Sequence, residues 1–327
     1  MNIIEVVNLS KNFKTKKGFI SAVKDVSFNV KRGELFGFLG PNGAGKTTTI
    51  NILCTLLTPT SGRALLNSFD VVSNPNEVRQ SIGLVFQEPS LDEKLTAMEN
   101  LEFHAMLYNV PKAVRNERIK YMLEMVGLYD RKDDLVNTFS GGMKRRLEIA
   151  RGLLHYPKIL FLDEPTLGLD PQTRSHIWEY IHQLRKKEDI TIFLTTHYMG
   201  EAENCDRVAI IDYGEIIAID SPFDLKKEIG GDVITVVAED RDKAKKTIEM
   251  EYNVAVINND EGLHFEVENG ETFLPRFIKK ADFKILSISL RRPTLEDVFI
   301  RLTGRHIREE SAEANSVLKI HARRLRR

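Results

Sequence analysis

A glycine-rich segment near the N-terminal end of the chain carries residue types that bind nucleotide phosphates. Residues 40–47 read Gly-Pro-Asn-Gly-Ala-Gly-Lys-Thr. Backbone N–H groups must close around phosphate oxygens there, and a Cβ at Gly43 or Gly45 would obstruct that approach. Lys46 supplies a positive charge for the β- and γ-phosphates, and the Thr47 hydroxyl is a suitable Mg²⁺ ligand. These residues predict a loop that binds a nucleoside triphosphate.

Two adjacent carboxylates follow a short apolar run in the middle of the chain. Asp163 and Glu164 come directly after Ile159 to Leu162. They therefore stand at the carboxyl end of a buried strand, which is where α/β sheets place their ligands. Asp163 fits an Mg²⁺ role, direct or through water, and Glu164 can polarise a water for attack on the γ-phosphate. The pair predicts that the triphosphate is hydrolysed.

A second glycine-rich segment precedes these carboxylates. Ser140, Gly141 and Gly142 open a helix whose apolar residues share one face. Ser140 can cap this helix by accepting a hydrogen bond from a backbone amide. The two glycines also leave amides open to an anion, with the helix dipole assisting. Asp170, which precedes Pro171, is predicted to cap a further helix.

The spacing of apolar residues predicts the strands and helices that position these groups. Leu35 to Leu39 forms a continuously apolar strand that enters the phosphate-binding loop, and a helix over 48–57 leaves it. Ile159 to Leu162 and Ile190 to Leu194 are further buried strands, with a helix over 172–187 between them. This alternation of strand and helix is typical of a parallel sheet.

Three other regions complete the expected architecture. The chain begins with antiparallel strands that include Ile3 to Leu9 and the alternating, half-buried run Val26 to Val30. Apolar residues then recur at helical spacing within a helical subdomain over about 88–155. After Ser221 and Pro222 the pattern changes to β-α-β-β-α-β, the order of a ferredoxin-like module. We therefore expect an α/β domain over 1–220, an accessory α+β domain over 221–304, and a mobile basic tail over 305–327.

Composition limits the classes of function. Lys and Arg total 47 and Asp and Glu total 47, so no net charge draws the chain to nucleic acid, which is not an expected partner. No apolar run approaches the ~20 residues of a membrane-spanning helix, and the N-terminus lacks the pattern of an export signal. Cys54 and Cys205 lack metal-ligand spacing and are expected to be small buried residues in a reducing cytoplasm.

The order of these motifs, with His197 following them, resembles the ATP-binding cassette (ABC) ATPases over residues 3 to about 220. The resemblance implies a P-loop NTPase cassette with a mixed core sheet, an antiparallel β subdomain and a helical subdomain, and it implies ATP and Mg²⁺ as ligands. Nucleotide binding is thereby assigned to Phe13, Gly40, Pro41, Asn42, Gly43, Ala44, Gly45, Lys46, Thr47, Thr48, Ser140, Gly141, Gly142 and Asp170. Catalysis is assigned to Glu164, His197 and Gln87, and metal binding to Thr47, Gln87 and Asp163.

Some of these assignments come from the resemblance alone. Gln87 matches a glutamine that senses Mg²⁺ and the attacking water, and that links the site to a transmembrane partner. His197 matches a switch histidine that contacts the γ-phosphate. Phe13 resembles the aromatic residue that stacks on adenine, with a buried core phenylalanine as the alternative.

The resemblance also implies a second subunit. In ABC ATPases the segment matching Ser140 to Gly142 contacts the γ-phosphate bound by the opposite subunit, which implies a head-to-tail dimer, here a homodimer. Asp170 fits a loop at that interface. Phe139 and Met143 depart from the commonest signature, Leu-Ser-Gly-Gly-Gln, and Met143 cannot donate the hydrogen bond of a Gln amide.

A segment near the C-terminus narrows the expected function. Leu290 to Phe299 resembles a segment of ATPases of the daunorubicin-resistance type, which energise export through a separate membrane permease. The resemblance predicts a peripheral protein at the cytoplasmic face of the cell membrane. The alternative function is a soluble ABC ATPase without a permease, regulated by its C-terminal module.

Overall fold

The computed structural model describes residues 1–16, 18–88, 90–259 and 262–303. These residues form two compact units, Met1–Ile219 and the described part of Asp220–Ile307. The predicted tail over 305–327 lies outside the described residues. None of the helices in the described ranges is long and apolar enough to span a bilayer.

The first unit combines two sheets with helices. Its strands are β1 (Asn2–Thr15), β2 (Gly18–Lys31), β3 (Leu35–Leu39), β4 (Ser61–Leu66), β5 (Phe69–Asp70), β6 (Ile82–Val85), β7 (Ile159–Asp163), β8 (Thr191–Thr196), β9 (Arg207–Asp212) and β10 (Glu215–Asp220). Its helices are α1 (Lys46–Leu53), α2 (Pro75–Ser81), α3 (Ala97–Leu107), α4 (Lys112–Met125), α5 (Gly141–Gly152), α6 (Pro171–Glu188) and α7 (Met199–Ala202). Short 3₁₀ turns lie at Tyr129–Arg131 and Val136–Thr138.

The larger sheet carries the predicted site at one edge. Its order is β10-β9-β3-β8-β7-β6, and β9, β3, β8, β7 and β6 are mutually parallel. The central strands β3, β7 and β8 are buried along their whole length, which explains their continuous apolar sequence. Because parallel strands end at the same sheet edge, the segments after β3, β6, β7 and β8 converge there.

A cluster of phenylalanines joins this sheet to the second one, which is antiparallel with the order β2-β1-β4-β5. Phe28 of β2 packs against Phe36, Phe38 and Phe193 with ring centroids 5.6, 5.6 and 5.9 Å apart. Phe161 of β7 lies 5.3 Å from Phe193. Such aromatic pairs add about 0.5–1.5 kcal/mol each beyond simple burial, so the cluster fixes the two sheets together beneath the site.

The second unit contains the predicted β-α-β-β-α-β order, with a further helix before it and another after it. Its elements are α8 (Pro222–Ile229), β11 (Asp232–Ala238), α9 (Arg241–Tyr252), β12 (Ile257–Asn259), β13 (Gly262–Val267), α10 (Gly270–Lys280), β14 (Ile285–Arg291) and α11 (Leu295–Thr303). The antiparallel sheet has the order β12-β13-β11-β14. It buries one face in a core that is separate from that of the first unit, and Ile234, Ile248, Leu263, Phe265 and Phe277 form its centre.

Candidate functional site

The loop between β3 and α1 has the backbone that a phosphate cradle requires. Gly43 and Gly45 have φ values of 80° and 107°, a region that residues with a side chain rarely adopt. A Cβ on Gly45 would lie 2.5 Å from the carbonyl oxygen of Ala22, whereas one on Gly43 would meet no protein atom within 4 Å. Glycine is therefore needed at 43 for backbone conformation, and at 45 for both conformation and space.

Lys46 is the buried cation at the start of α1. Its Nζ donates to the carbonyl oxygens of Gly40 at 2.9 Å and Pro41 at 3.2 Å. The same ammonium lies 3.1 Å from Oε1 of Glu164. The carbonyl oxygens of the loop and the predicted catalytic carboxylate therefore contact the same ammonium group.

Glu164 joins the loop to the histidine at the end of β8. Its Oε2 lies 3.1 Å from Nδ1 of His197, while its Oε1 faces Lys46. Burial alone raises the pKa of Glu164, but the His197 hydrogen bond and the Lys46 charge outweigh it and hold this pKa below its ordinary value. The carboxylate is therefore ionised at neutral pH.

Asp163 occupies a different environment although it is the adjacent residue. Its Oδ1 accepts a hydrogen bond from the Thr195 hydroxyl, and the Thr47 hydroxyl is a further partner. Burial raises the pKa of Asp163, and the Glu164 charge adds to this, while Thr195, Lys46 and Thr47 oppose it. An acidic oxygen beside a threonine hydroxyl at the mouth of the loop is the donor set that suits Mg²⁺.

Gln87 lies two residues beyond β6 and is exposed. Because β6 pairs in parallel with β7, with Val85 opposite Leu162, the chain leaves both strands at the same sheet edge. The structure therefore brings the Gln87 segment to the edge that carries Asp163 and Glu164. No hydrogen bond of the Gln87 side chain is found among the described residues, so its partners stay a prediction.

The second glycine-rich segment begins α5 as predicted. Ser140 caps the helix by accepting a hydrogen bond from the Met143 amide at 3.3 Å. A Cβ on Gly142 would lie 2.3 Å from Cγ2 of Thr173, so this glycine lets α5 approach α6 closely. Within the described ranges, no hydrogen bond or ion pair joins Ser140 to Gly142 with the phosphate-binding loop. The contact of this segment with a nucleotide held by a second copy stays a prediction.

Asp170 has the local structure expected of a helix cap. Its carboxylate accepts hydrogen bonds from the amide of Thr173 at 2.9 Å and from the hydroxyl of that residue at 2.6 Å. These hydrogen bonds hold the pKa of Asp170 below its ordinary value. The contribution of Asp170 to a subunit interface stays a prediction.

Phe13 is partly exposed on β1 rather than buried in the core. It pairs with Ile20 across β2, and Lys11 Nζ lies 5.2 Å from the centre of its ring. Ala22, two residues beyond Ile20, contacts the loop at Gly45. Phe13 is therefore not a buried core residue, and its stacking on adenine stays a prediction.

Sequence reasoning missed a group of buried charges around these residues. Arg145 and Glu148 of α5 and Glu201 of α7 are each at most 6% exposed. Glu201 accepts hydrogen bonds from the hydroxyls of Thr166 and Thr196, next to the predicted interface loop and His197. Charged residues spaced three apart on the helix that follows Ser140 were the available signal, because such residues are rarely buried without a specific partner.

One edge of the parallel sheet carries a phosphate-binding loop, an adjacent Asp–Glu pair and a histidine, and an antiparallel sheet packs against the same core. This arrangement is that of an ATPase of the cassette type. Residues 23–167 match the family model described as ABC transporter, and residues 221–303 match that of the ATP-binding protein DrrA1-3-like, C-terminal domain. The chain belongs to the ABC transporter ATP-binding family.

Several relatives are similar over most of the chain. It is 39% identical over 309 residues to the linearmycin resistance ATP-binding protein LnrL of Bacillus subtilis (strain 168), covering 92% of this chain and 99% of LnrL. It is 40% identical over 294 residues to the daunorubicin resistance ATP-binding protein DrrA2 of Streptomyces coeruleorubidus, covering 87% and 90% of the two chains.

Solved structures agree with this family. The dimeric post-hydrolysis state of the ATP-binding cassette MJ0796 bound to ADP and Pi is similar with a TM-score of 0.61 and 30% identity, covering 67% of this chain and 98% of that one. These matches confirm the predicted fold class and the resemblance to ABC ATPases. The protein is an ATP-binding ATPase of this family.

Proposed function

We propose that this chain is the ATPase subunit of a multi-chain exporter and hydrolyses ATP with Glu164 as the base. The contact of one carboxylate with both Lys46 and His197 carries this proposal, since it places a proton acceptor beside the loop that holds the γ-phosphate. Lys46 then neutralises phosphate charge, and His197 holds the carboxylate in place and contacts the γ-phosphate.

The same site is proposed to take Mg²⁺. Thr47 supplies a hydroxyl, Asp163 supplies a carboxylate or holds a metal-bound water, and Gln87 adds an amide oxygen. When bound, Mg²⁺ would neutralise negative charge that develops on the phosphate in the transition state. The hydrogen bond from the Thr195 hydroxyl to Oδ1 fixes the orientation of the Asp163 carboxylate, which supports this role.

A second copy of the chain is proposed to complete each site. The Ser140 segment presents a capped helix N-terminus and has no bond to the loop of its own chain among the described residues. A head-to-tail homodimer would place this segment against the γ-phosphate held by the other copy, with Asp170 at the interface. Closure of this dimer upon ATP binding would then drive the permease.

The permease is proposed to dock on an exposed part of α3. Phe103, Met106 and Leu107 are each more than half exposed and, at i, i+3 and i+4, share one helix face; we call them the α3 apolar patch. Asn100 ties α3 to the segment after Gln87 through the hydrogen bond from its Nδ2 to the carbonyl oxygen of Asp92 at 2.9 Å. Docking here would place the chain at the cytoplasmic face of the membrane, and the names of its relatives suggest export of drug-like molecules.

Replacing Phe103 and Leu107 together by Ser is expected to release the chain from membranes, because the permease would lose apolar area at its docking site. The measurement is the fraction of tagged chain recovered with native membranes, together with its nucleotide affinity, which should be unchanged. Met250→Ser, which alters an 85% exposed apolar residue in the second unit, is the control. Equal membrane recovery of all three proteins would contradict docking on the patch, and absence of the parent chain from membranes would favour the soluble alternative.

We further propose domain boundaries at 1–220 and 221–304, with a helical subdomain over about 88–155. The two units have separate cores, and the predicted nucleotide residues all lie in the first one. The second unit is then an accessory domain that modifies dimer formation or coupling.

Deleting the chain from Pro222 onward is expected to leave a folded cassette that binds ATP. Residual turnover should remain, with altered dimer formation or altered stimulation by the permease. ATP binding and turnover of the truncated and full chains, alone and with the permease, provide the measurement. Loss of ATP binding upon truncation would show that the second unit is part of the catalytic fold.

A further inference from the structure

The backbone at Glu164 is held in a conformation that glutamate rarely adopts. Its φ is 46°, in the left-handed region, which is uncommon for residues with a side chain and persists only where the surrounding structure enforces it. The amide of Glu164 donates to the carbonyl oxygen and the hydroxyl of Thr195, each at 3.1 Å. A second set of contacts must then fix the carbonyl side of the same residue.

Arg145 of α5 supplies that second set. Its Nη2 donates to the carbonyl oxygen of Glu164 at 3.0 Å and lies 3.4 Å from that of Asp163, while its Nε donates to Pro165 at 2.7 Å. Its Nη1 donates to the carbonyl oxygen of Phe86, the residue before Gln87. One planar guanidinium therefore reaches the backbone on both sides of Glu164 and the start of the Gln87 segment.

Glu148 and Arg151, one and two turns further along α5, extend these contacts. Glu148 is fully buried, and its Oε2 lies 3.2 Å from Arg145. Its Oε1 accepts the amide of Ser90 at 2.8 Å, and Arg151 donates to the carbonyl oxygen of Ser90 at 2.7 Å. Helix α5 thus holds the chain on both sides of Gln87, at Phe86 and at Ser90.

We propose that Arg145 is a positioning residue for hydrolysis. It connects helix α5 to the backbone of Glu164 and to the Gln87 segment. This inference rests on the proposed roles of Glu164 and Gln87. A movement of α5, whose N-terminus carries Ser140, would be transmitted through one guanidinium to the base and to the segment that leads to α3. Docking of a partner on α3 and engagement of Ser140 by a second copy would then act on the same carboxylate.

The chemistry of arginine explains why this residue type is required. A guanidinium offers five N–H donors in a fixed plane, so it satisfies several carbonyl oxygens at once, whereas the three donors of lysine sit on one atom. Burying this cation is costly without a counter-charge, and Glu148 provides one within α5 itself. The carbonyl oxygens of Asp163, Glu164 and Pro165 would lose their shared donor if Arg145 were removed.

The test compares Arg145→Met, Arg145→Lys and Glu148→Gln in the full-length chain. We expect Arg145→Met to lower kcat by ~10- to 10²-fold with little change in KM or in the affinity for a fluorescent ATP analogue, because misplacing a catalytic group by about 1 Å costs up to that factor. Arg145→Lys, which keeps the charge and the Glu148 pair, should restore part of kcat. Glu148→Gln, which keeps the shape, should lower kcat less than Arg145→Met does.

Arg118→Met is the matched control. Arg118 of α4 is as buried as Arg145, donates to the carbonyl oxygen of Leu153 at 3.0 Å and pairs with Glu188 at 3.3 Å. Its loss should lower Tm to a similar degree and leave kcat near that of the parent. The inference is overturned if Arg145→Met lowers Tm but keeps kcat near that of the parent, as is expected of Arg118→Met, or if nucleotide affinity falls in parallel with kcat.

Two further outcomes complete the test. If Arg145→Met does not fold, the inference is tested by Arg145→Lys and Glu148→Gln. A kcat equal to that of the parent in both variants overturns it. Glu164→Gln in the same assay keeps the proposed function separate. Parental turnover in Glu164→Gln would reject the proposed role of Glu164 itself, whereas an inactive Glu164→Gln beside normal Arg145 variants would reject only the role of Arg145.

Discussion

Replacing Glu164 by Gln is expected to reduce ATP turnover by ~10² or more while ATP still binds, since the amide cannot accept a proton from the attacking water. The amide keeps the size of the side chain and can still contact Lys46 and His197, so the loop should keep its shape. Dimers that cannot hydrolyse ATP should then accumulate. Steady-state turnover and size-exclusion chromatography with Mg·ATP measure the two effects.

Glu34→Gln is the control for losing a buried carboxylate. Glu34 is 6% exposed, as Glu164 is, and it pairs with Arg207 at 2.6 Å away from the loop. Its replacement should affect thermal stability more than turnover. If Glu164→Gln hydrolyses ATP at the rate of the parent, Glu164 is not the catalytic carboxylate.

Ser140→Arg is expected to abolish hydrolysis and to leave the nucleotide affinity of the monomer intact. The long cation would fill the space over the N-terminus of α5 where the phosphate of the second copy is expected. The loss of the cap to Met143 costs about 1 kcal/mol of helix stability, which is too little to unfold the unit. Turnover and monomer affinity for nucleotide are measured separately.

Two controls sharpen this experiment. Asp240→Ala removes the cap of α9, which accepts the Lys243 amide at 3.0 Å, and should leave turnover unchanged. Mixing Ser140→Arg with a Lys46→Ala chain should restore one composite site at most per dimer. The assignment to the opposite subunit is refuted if Ser140→Arg weakens ATP binding by monomers as much as Lys46→Ala does.

Local sequence patterns predicted most of the strands and helices, because the burial and the turns that determine these elements depend on residues close in sequence. The buried strands β3, β7 and β8 are continuous apolar runs, and their predicted positions agree with the structure to within two residues. The helix predicted over 48–57 is α1, Lys46–Leu53, because the turn at Gly45 starts the helix within the motif itself.

Other parts of the structure had no comparable signal. The short strand β4 depends on pairing with β1, and β5 depends on pairing with β4, which spacing alone does not reveal. The buried position of Arg145 was also missed, because its partners are backbone carbonyl oxygens that every residue offers. Glu164 and Lys46 are distant in sequence and come together only because β3 and β7 end at the same sheet edge. The order of the motifs therefore indicated the two residues but not their ion pair.

The left-handed backbone at Glu164 also determines which amino-acid substitutions at this position leave a folded protein. Single-base changes convert glutamate into Gly, Asp, Gln, Lys, Ala or Val. Gly and Asp tolerate positive φ, whereas the branched Cβ of Val opposes it. Variants with Gly or Asp would therefore persist as folded chains without the glutamate base. In the proposed homodimer, such a chain would also impair the sites that it forms with a normal copy, so its effect on turnover would exceed the loss of its own activity.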